Sequence, residues 1–252
     1  MNSLNSAIAD HPSAVLDAWL SDALGKKSYR LSAMDLSSSP LRDHLHEVLL
    51  RLPQEPLFIY AKVPTDAHHT TRFLEDEKFR LIDTNIVFDK KRTVGQSLGS
   101  VCTIRFARSE DKDHVEALAR RSFSCSRFHR DSAIDRIVAD NIKARWAAGY
   151  FLGERGDQMV IAESGNQLVG FLQLIMDEGD TLIIDLIAVD ERFRGQGIAA
   201  DMIHYAENQI ERCGHVRVGT QVANASSIHC YEKAGFRHFS SSYVFHFHSF
   251  LG

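Results

Sequence analysis

The segment from Leu182 to Ala200 constrains the fold more than any other. An apolar, β-type run from Leu182 to Val189 passes through the mostly charged residues Asp190 to Arg194 into Gly195-Gln196-Gly197, and a helix-like sequence follows at once. A strand that ends in a basic, glycine-containing turn and opens a helix gathers several backbone N–H groups at one point. The positive end of the helix dipole lies at the same point, so the turn is built to hold phosphate. Gly195-x-Gly197-x-x-Ala200 also fits the loose dinucleotide fingerprint, which is weak by itself. A dinucleotide turn brings its strand almost directly into the first glycine, whereas here a charged approach intervenes. It also needs an acid at the end of the next strand for the ribose, and Val216 to Val222 ends in Thr220-Gln221-Val222. No Gly-Lys-Ser/Thr follows, so the turn is not a Walker loop. A helix start that happens to use glycine remains the plain alternative.

Bulk properties narrow the field. The chain has 252 residues and a formal net charge of −4. That charge argues against a dedicated nucleic-acid binder, so any anion site must be local. No run approaches the roughly 18 apolar residues of a membrane span, and Met1 to Asp10 has no secretory pattern. Cys102, Cys125, Cys213 and Cys230 are scattered, which suits reduced thiols in the cytoplasm better than a disulfide framework or a zinc site.

Two domains are expected, residues 1–95 and 101–252, joined by Asp89 to Ser100, a charged and then small-residue stretch. In the second, Cys102–Ala107 reads as a strand and Ser109 as a helix cap. A second helix begins at Asp131 or Ser132, with an apolar stripe of Ile134, Ile137, Val138, Ile142 and Trp146. Met159–Glu163 and Leu168–Met176 form a hairpin at Gly165-Asn166. After the glycine turn come a helix marked by Ile198, Met202, Ala206 and Ile210, a strand at Val216–Val222, a helix at Ala225–Ala234 and a strand at Phe236–His248. In the first domain, Ala14–Leu24 and Pro40–Leu50 read as helices, with Ser13 capping the first. Pro56–Val63, Asp66–Lys78 and Arg80–Phe88 read as strand, helix and strand. At an offset of about 157 residues, Glu75, Phe79, Arg80, Val87 and Phe88 coincide with Glu232, Phe236, Arg237, Val244 and Phe245. The shared strand–helix–strand order reads as a partial duplication.

Arg192-x-x-Gly195-x-Gly197, after the strand Leu186 to Val189, resembles the acyl-CoA signature of the GNAT superfamily of N-acetyltransferases. Asn224, Tyr231 seven positions on, then Gly235-Phe236 resemble that superfamily's second signature. The resemblance covers about Val101 to the C-terminus. It implies an α/β GNAT fold, with a mixed, mostly antiparallel twisted sheet flanked by helices. A smaller, truncated GNAT-like N-terminal domain would accompany it. It also implies acetyl-CoA or another acyl-CoA as co-substrate. The N–H groups from Gly195, Gln196 and Gly197 to Ile198 and Ala199 would chelate its pyrophosphate, with Arg192 and Arg194 adding charge. Ile187, Ala188 and Val189 would hold the pantetheine arm by their backbone, and Asn224 would both cap its helix and touch that arm. Tyr231 takes the general-acid position of the family and would protonate the leaving thiolate; as a bare residue it also reads as a tyrosine packed on the sheet. Alternation places Asp185 on the face of Ile187 and Val189, where it reads either as the base for the amine or as a solvated strand acid. His246 and His248 alternate along the last strand without an evident third ligand, so no metal site is expected.

The acceptor is sought in Ser122 to Asp131. Arg127, Phe128, His129 and Arg130 there could hold phosphates and stack a ring, or form an ordinary charged loop. Ser122 to Phe128 with Trp146 is similar to enzymes that acetylate nucleotide-linked amino sugars, the dTDP-fucosamine type. That similarity implies a dTDP-amino-deoxy sugar as acceptor and a place in O-antigen or lipopolysaccharide biosynthesis. It further implies a cytoplasmic protein without nucleic-acid or membrane partners, with a homodimer allowed. A GNAT acting on a protein N-terminus, a polyamine or an amino acid is the alternative, as is a CoA-binding module without turnover.

Overall fold

A computed structural model describes residues 8–9, 11–33, 35–50, 56–95 and 101–249. The chain forms two compact units. The first comprises Met1–Asn85, Arg130–Val138 and Ser240–Gly252; the second comprises Ile86–His129 and Ala139–Phe239. These boundaries differ from a single cut near residue 95. The last strand is the reason: its residues from Ser242 to Ser249 pair antiparallel with Pro64 to Leu57, which ties the C-terminus into the first unit.

In the first unit, β1 (Ala14–Leu16), β2 (Lys27–Ser32), β3 (Leu57–Pro64) and β10 (Arg237–Ser249) lie side by side in that order. Helix α1 (Ala18–Leu24) is shorter than the sequence suggests. Ala14 to Leu16 pair with Leu31 to Tyr29 as a strand, and Asp17, not Ser13, caps the helix by accepting from the Leu20 N–H at 2.9 Å. Helices α2 (Ser39–Leu50) and α3 (His68–Asp76) complete the unit. Its core gathers Leu31, Leu45, Ile59, Val63, Leu74 and Phe245. The β3 run from Leu57 to Ala61 is buried on both faces, which is why it reads as continuous apolar sequence rather than alternation.

In the second unit the strand order is β4 (Arg80–Lys91), β9 (His215–Gln221), β8 (Thr181–Val189), β7 (Gln167–Met176), β6 (Gln158–Ser164) and β5 (Thr103–Phe106). Asp89 to Lys91, expected in a linker, continue β4. The cause is Glu207, 1% exposed, which accepts from Lys90 Nζ at 2.9 Å while its carbonyl accepts from Arg92 Nε at 2.6 Å. Gln96 to Ser100 of the expected linker lie outside the described residues. Helix α4 (Lys112–Ser122) follows a short turn at Ser109–Asp111. Asp111, rather than Ser109, serves that turn by accepting from the Arg108 N–H. A single helical turn, α5 (Arg127–Arg130), precedes α6 (Arg136–Ala148). The stripe expected on α6 is only partly internal. Ile142 is buried, but Ile137 is 70% exposed, and alanines 139, 144, 147 and 148 fill the interior instead. Helices α7 (Ile198–Gln209) and α8 (Ala225–Lys233) follow β8 and β9.

Each face of this sheet carries its own core. Leu182, Ile184, Met202, Ile203, Val216 and Val218 gather on one side, with Ile187 and Val189 packed against them. Val115, Leu118, Phe171, Leu186 and Ala188 gather on the other. Residues 182, 184, 186 and 188 would share one face of a regular strand. They do not, because β8 carries an extra residue. Leu174 pairs with Ile184 and Gln173 with Leu186, so Asp185 is a β-bulge and the alternation flips there. Asp185 therefore does not face the side of Ile187 and Val189, as plain alternation predicts.

Candidate active site

The parting of two strands frames the site. β8 and β9 pair in parallel only from Thr181/His215 to Ile184/Val218. Beyond the bulge at Asp185 the two strands part, although β8 runs on to Val189 and β9 to Gln221. The backbone of Ile187, Ala188 and Val189 on that edge thus has no strand partner, and an extended arm can pair with it.

At the end of β8 lies the glycine turn. Gly195 and Gly197 have φ of +78° and +84°, the left-handed region that favours glycine. A Cβ built on either meets no atom within 4 Å among the described residues beyond its chain neighbours. Gly197 is the N-cap of α7 and brings no side chain to satisfy the first N–H groups, leaving those from Ile198 and Ala199 onward aimed at the open space. The turn is anchored by Asp190, whose side chain is 5% exposed. Its carboxylate accepts from the Arg192 N–H at 3.1 Å and from Arg192 Nε at 3.1 Å. It also accepts from Arg121 Nη2 of α4 at 3.0 Å, a contact not visible in the sequence motif. The Arg192 hydrogen bond foremost holds the Asp190 carboxyl well below the usual carboxylate range. Arg194 donates to the Val189 carbonyl at 3.1 Å, which leaves its charge beside the turn. A diphosphate fits these features: uncapped N–H groups, two arginines and empty space where any other residue would place a Cβ.

Asn224 caps α8, its Oδ1 accepting from the Ser227 N–H at 3.3 Å. Tyr231 follows on the same helix and is 4% exposed, with the rings of Phe236 and Phe88 at 5.7 and 6.1 Å. Burial raises the Tyr231 phenol above its ordinary pKa, partly offset by a hydrogen bond with Ser227. Asp185 is fully engaged. Arg155 grips it bidentately at 2.7 Å (Nε–Oδ2) and 2.6 Å (Nη2–Oδ1). The Trp146 indole N–H donates to Oδ2 at 2.8 Å, and Gln173 Nε2 lies 3.3 Å away.

The loop expected to receive the acceptor is organised differently from its sequence reading. Phe128 is 1% exposed and cannot stack a ligand, with Arg127 lying 4.4 Å over its ring. His129 is internal, bonded to Ser126 Oγ at 2.6 Å and Asp140 Oδ1 at 2.9 Å. Arg130 lies 3.7 Å from Asp83, a carboxyl whose pKa is raised by burial. The sequence leaves these residues open as ligand-facing or as an ordinary charged loop, because Asp140 and Asp83 meet His129 and Arg130 only in the fold.

The third partner of His246 and His248 also emerges. Asp131 Oδ2 accepts from His246 Nδ1 at 2.6 Å and from His248 Nε2 at 2.7 Å. The three donor atoms fall within 4.8 Å of one another. Lys26 Nζ lies 3.3 Å from His248 Nδ1. The spacings are those of hydrogen bonds, and a neighbouring lysine suits a carboxylate–histidine network better than a dication.

Residues 115–236 match the family model described as Acetyltransferase (GNAT) family, and the fold is that of solved GNAT structures. Proteins of this kind use acetyl-CoA as co-substrate, and the domain is that of an acyl-CoA-dependent N-acetyltransferase. Among curated proteins, the chain is similar to spore coat polysaccharide biosynthesis protein SpsD of Bacillus subtilis, 28% identical over 242 residues, covering 90% of this chain and 80% of SpsD. A GCN5-related N-acetyltransferase from Sphaerobacter thermophilus shares the fold, with TM-score 0.57 and 12% identity, covering 88% of this chain and 72% of that one. A tandem GNAT protein from the clavulanic acid biosynthesis pathway does too, with TM-score 0.58 and 8% identity, covering 88% and 75%. Among the described residues, no helix is long and apolar enough to cross a membrane.

Proposed function

We propose that the chain moves an acetyl group from acetyl-CoA to the amine of a nucleotide-linked amino-deoxy sugar, of the dTDP type, that feeds a bacterial surface polysaccharide. The likeness to SpsD along nine-tenths of the chain is the observation that carries the sugar. In this reading the diphosphate of CoA rests on the N–H groups from Gly195 to Ala199, flanked by Arg192 and Arg194. The pantetheine arm pairs with Ile187 and Val189 where β8 leaves β9. That brings the thioester toward the strand vertex, and Tyr231 is the acid for the departing thiolate.

The chemistry is direct. A neutral amine attacks the thioester carbonyl, the nitrogen of the tetrahedral adduct gives up a proton to water, and the C–S bond breaks as sulfur takes a proton from Tyr231. The raised pKa of Tyr231 keeps the acid loaded throughout the neutral range. No cysteine is needed as a nucleophile, and Cys102, Cys213 and Cys230 are held as thiols by burial. The truncated GNAT-like character of the N-terminal part, and a cytoplasmic location where nucleotide sugars and acetyl-CoA meet, belong to the same proposal.

The test is a comparison of kcat/KM across amines with acetyl-CoA held saturating. dTDP-amino-deoxy sugars should exceed spermidine, free amino acids and peptide N-termini by orders of magnitude. A preference for any of the latter removes the nucleotide-sugar assignment and leaves the acetyltransferase standing.

A further inference from the structure

Asp185 lies at the vertex where β8 and β9 part, the position from which a base would be expected to act. Its surroundings give it another task. Both oxygens are occupied, by Arg155 twice and by Trp146 and Gln173. A carboxylate that accepts from a bidentate guanidinium holds that guanidinium in one orientation. Arg155 also lies over the Trp146 indole, its Cζ 4.4 Å from the ring centroid. Lys143 adds a second cation, with Nζ 4.5 Å from Trp146 and 5.1 Å from Phe123.

The cluster is also accessible on one side. The Arg155 side chain is 41% exposed, whereas that of Asp185 is 8% exposed. Nε and Nη2 of Arg155 face inward to Asp185, and the remaining Nη1 edge is left for an outside partner. Beneath it, Gln173 is fully buried and its Oε1 has no hydrogen-bond partner among the described residues. Gly156, with φ +92°, lets the Arg155 loop close over Gln173, since a Cβ there would come within 3.1 Å of that side chain. The loop is therefore shaped around this cluster.

We propose that Arg155, held by Asp185 on Trp146 and supported by Lys143, binds the phosphate of an anionic acceptor. Asp185 is a positioning residue for that arginine and not the base for the amine. The inference rests on the nucleotide-sugar reading and supplies the recognition that Phe128 and His129, being internal, do not.

The experiment separates the two. Trp19→Phe leaves Trp146 as the only indole reporter. This protein, saturated with CoA so that the pyrophosphate cradle is filled, is titrated with dTDP alone, and Trp146 emission is read. Emission should change saturably, and adding Arg155→Met should weaken the apparent affinity about tenfold or more. Arg155→Lys, which keeps the charge but loses the fork, should fall between. In turnover, Asp185→Asn should raise KM for dTDP-amino sugars while leaving kcat near wild type. It should also leave a phosphate-free amine such as glucosamine unaffected. No response of Trp146 to dTDP overturns the proposal, as does an Asp185→Asn loss of kcat that is equal for phosphorylated and phosphate-free amines. Failure of every nucleotide sugar to turn over, with the dTDP response intact, would instead sink only the substrate assignment.

Discussion

Replacing Gly197 by valine separates what the glycine does for folding from what it does for acetyl-CoA. At φ +84° a side chain costs roughly 1–2 kcal/mol of backbone strain, more for a β-branched one. Among the described residues beyond its chain neighbours, no atom lies within 4 Å of the new Cβ, so no packing penalty is added. Melting temperature should therefore fall by only about 2–8 °C in a chain of this size. Binding should suffer far more, because the valine fills the space assigned to the diphosphate. Two charge-assisted hydrogen bonds at about 1.5–3 kcal/mol each imply a loss of affinity of roughly 100-fold or greater. Gly165→Val is the control. It lies in the β6–β7 hairpin at φ +59°, also with nothing within 4 Å, so it carries comparable strain far along the chain from the cradle motif. Calorimetric titration with acetyl-CoA should show near wild-type affinity for Gly165→Val and little or none for Gly197→Val. Equal affinities would refute the cradle assignment.

Three further predictions follow from individual side chains. Tyr231→Phe should lower kcat about 100-fold or more, the usual scale of acid catalysis, with acetyl-CoA affinity unchanged; undiminished turnover would remove Tyr231 as the acid. Asp190→Asn should weaken acetyl-CoA binding about tenfold by releasing Arg192 and Arg121, and calorimetry reads it directly. Burial pushes the Asp131 pKa up, but hydrogen bonds from His246, His248 and the Ala133 N–H outweigh it and leave the carboxyl well below its ordinary value. Its stabilisation is therefore present above the unfolded pKa of about 3.9 and is lost as pH falls further. Asp131→Asn should cost about 2–4 kcal/mol at pH 7 in denaturant melts, and the gap to wild type should narrow below about pH 4. A gap independent of pH would contradict that account.

The parts legible in the sequence are those whose chemistry is local. The glycines at 195 and 197, the Asn224 cap and the Gly165-Asn166 hairpin each announce a backbone need within a few residues, and each lies where expected. What was hidden depends on distant partners. Nothing in Ile184-Asp185-Leu186 marks a bulge; only the pairing of Gln173 and Leu174 reveals that alternation flips there. Ala14 to Leu16 look helical until β2 pairs with them. Asp89 to Lys91 read as a linker because Glu207, which holds Lys90, is 117 residues away. Phe128 and His129 look exposed in a polar stretch, yet Ser126 and Asp140 complete an internal network. Asp131 could not be joined to His246 and His248 before the last strand had its place. The proposed acceptor site depends on such contacts made in the fold, while the proposed acyl-CoA site depends on a motif.

The most direct test is mass spectrometry of a reaction containing the protein, acetyl-CoA and a dTDP-amino-deoxy sugar, with free thiol measured in parallel. The account predicts one acetyl group on the sugar nitrogen for each CoA thiol released. Thiol release without an acylated nucleotide sugar, or no release with any dTDP-amino-deoxy sugar, would contradict it.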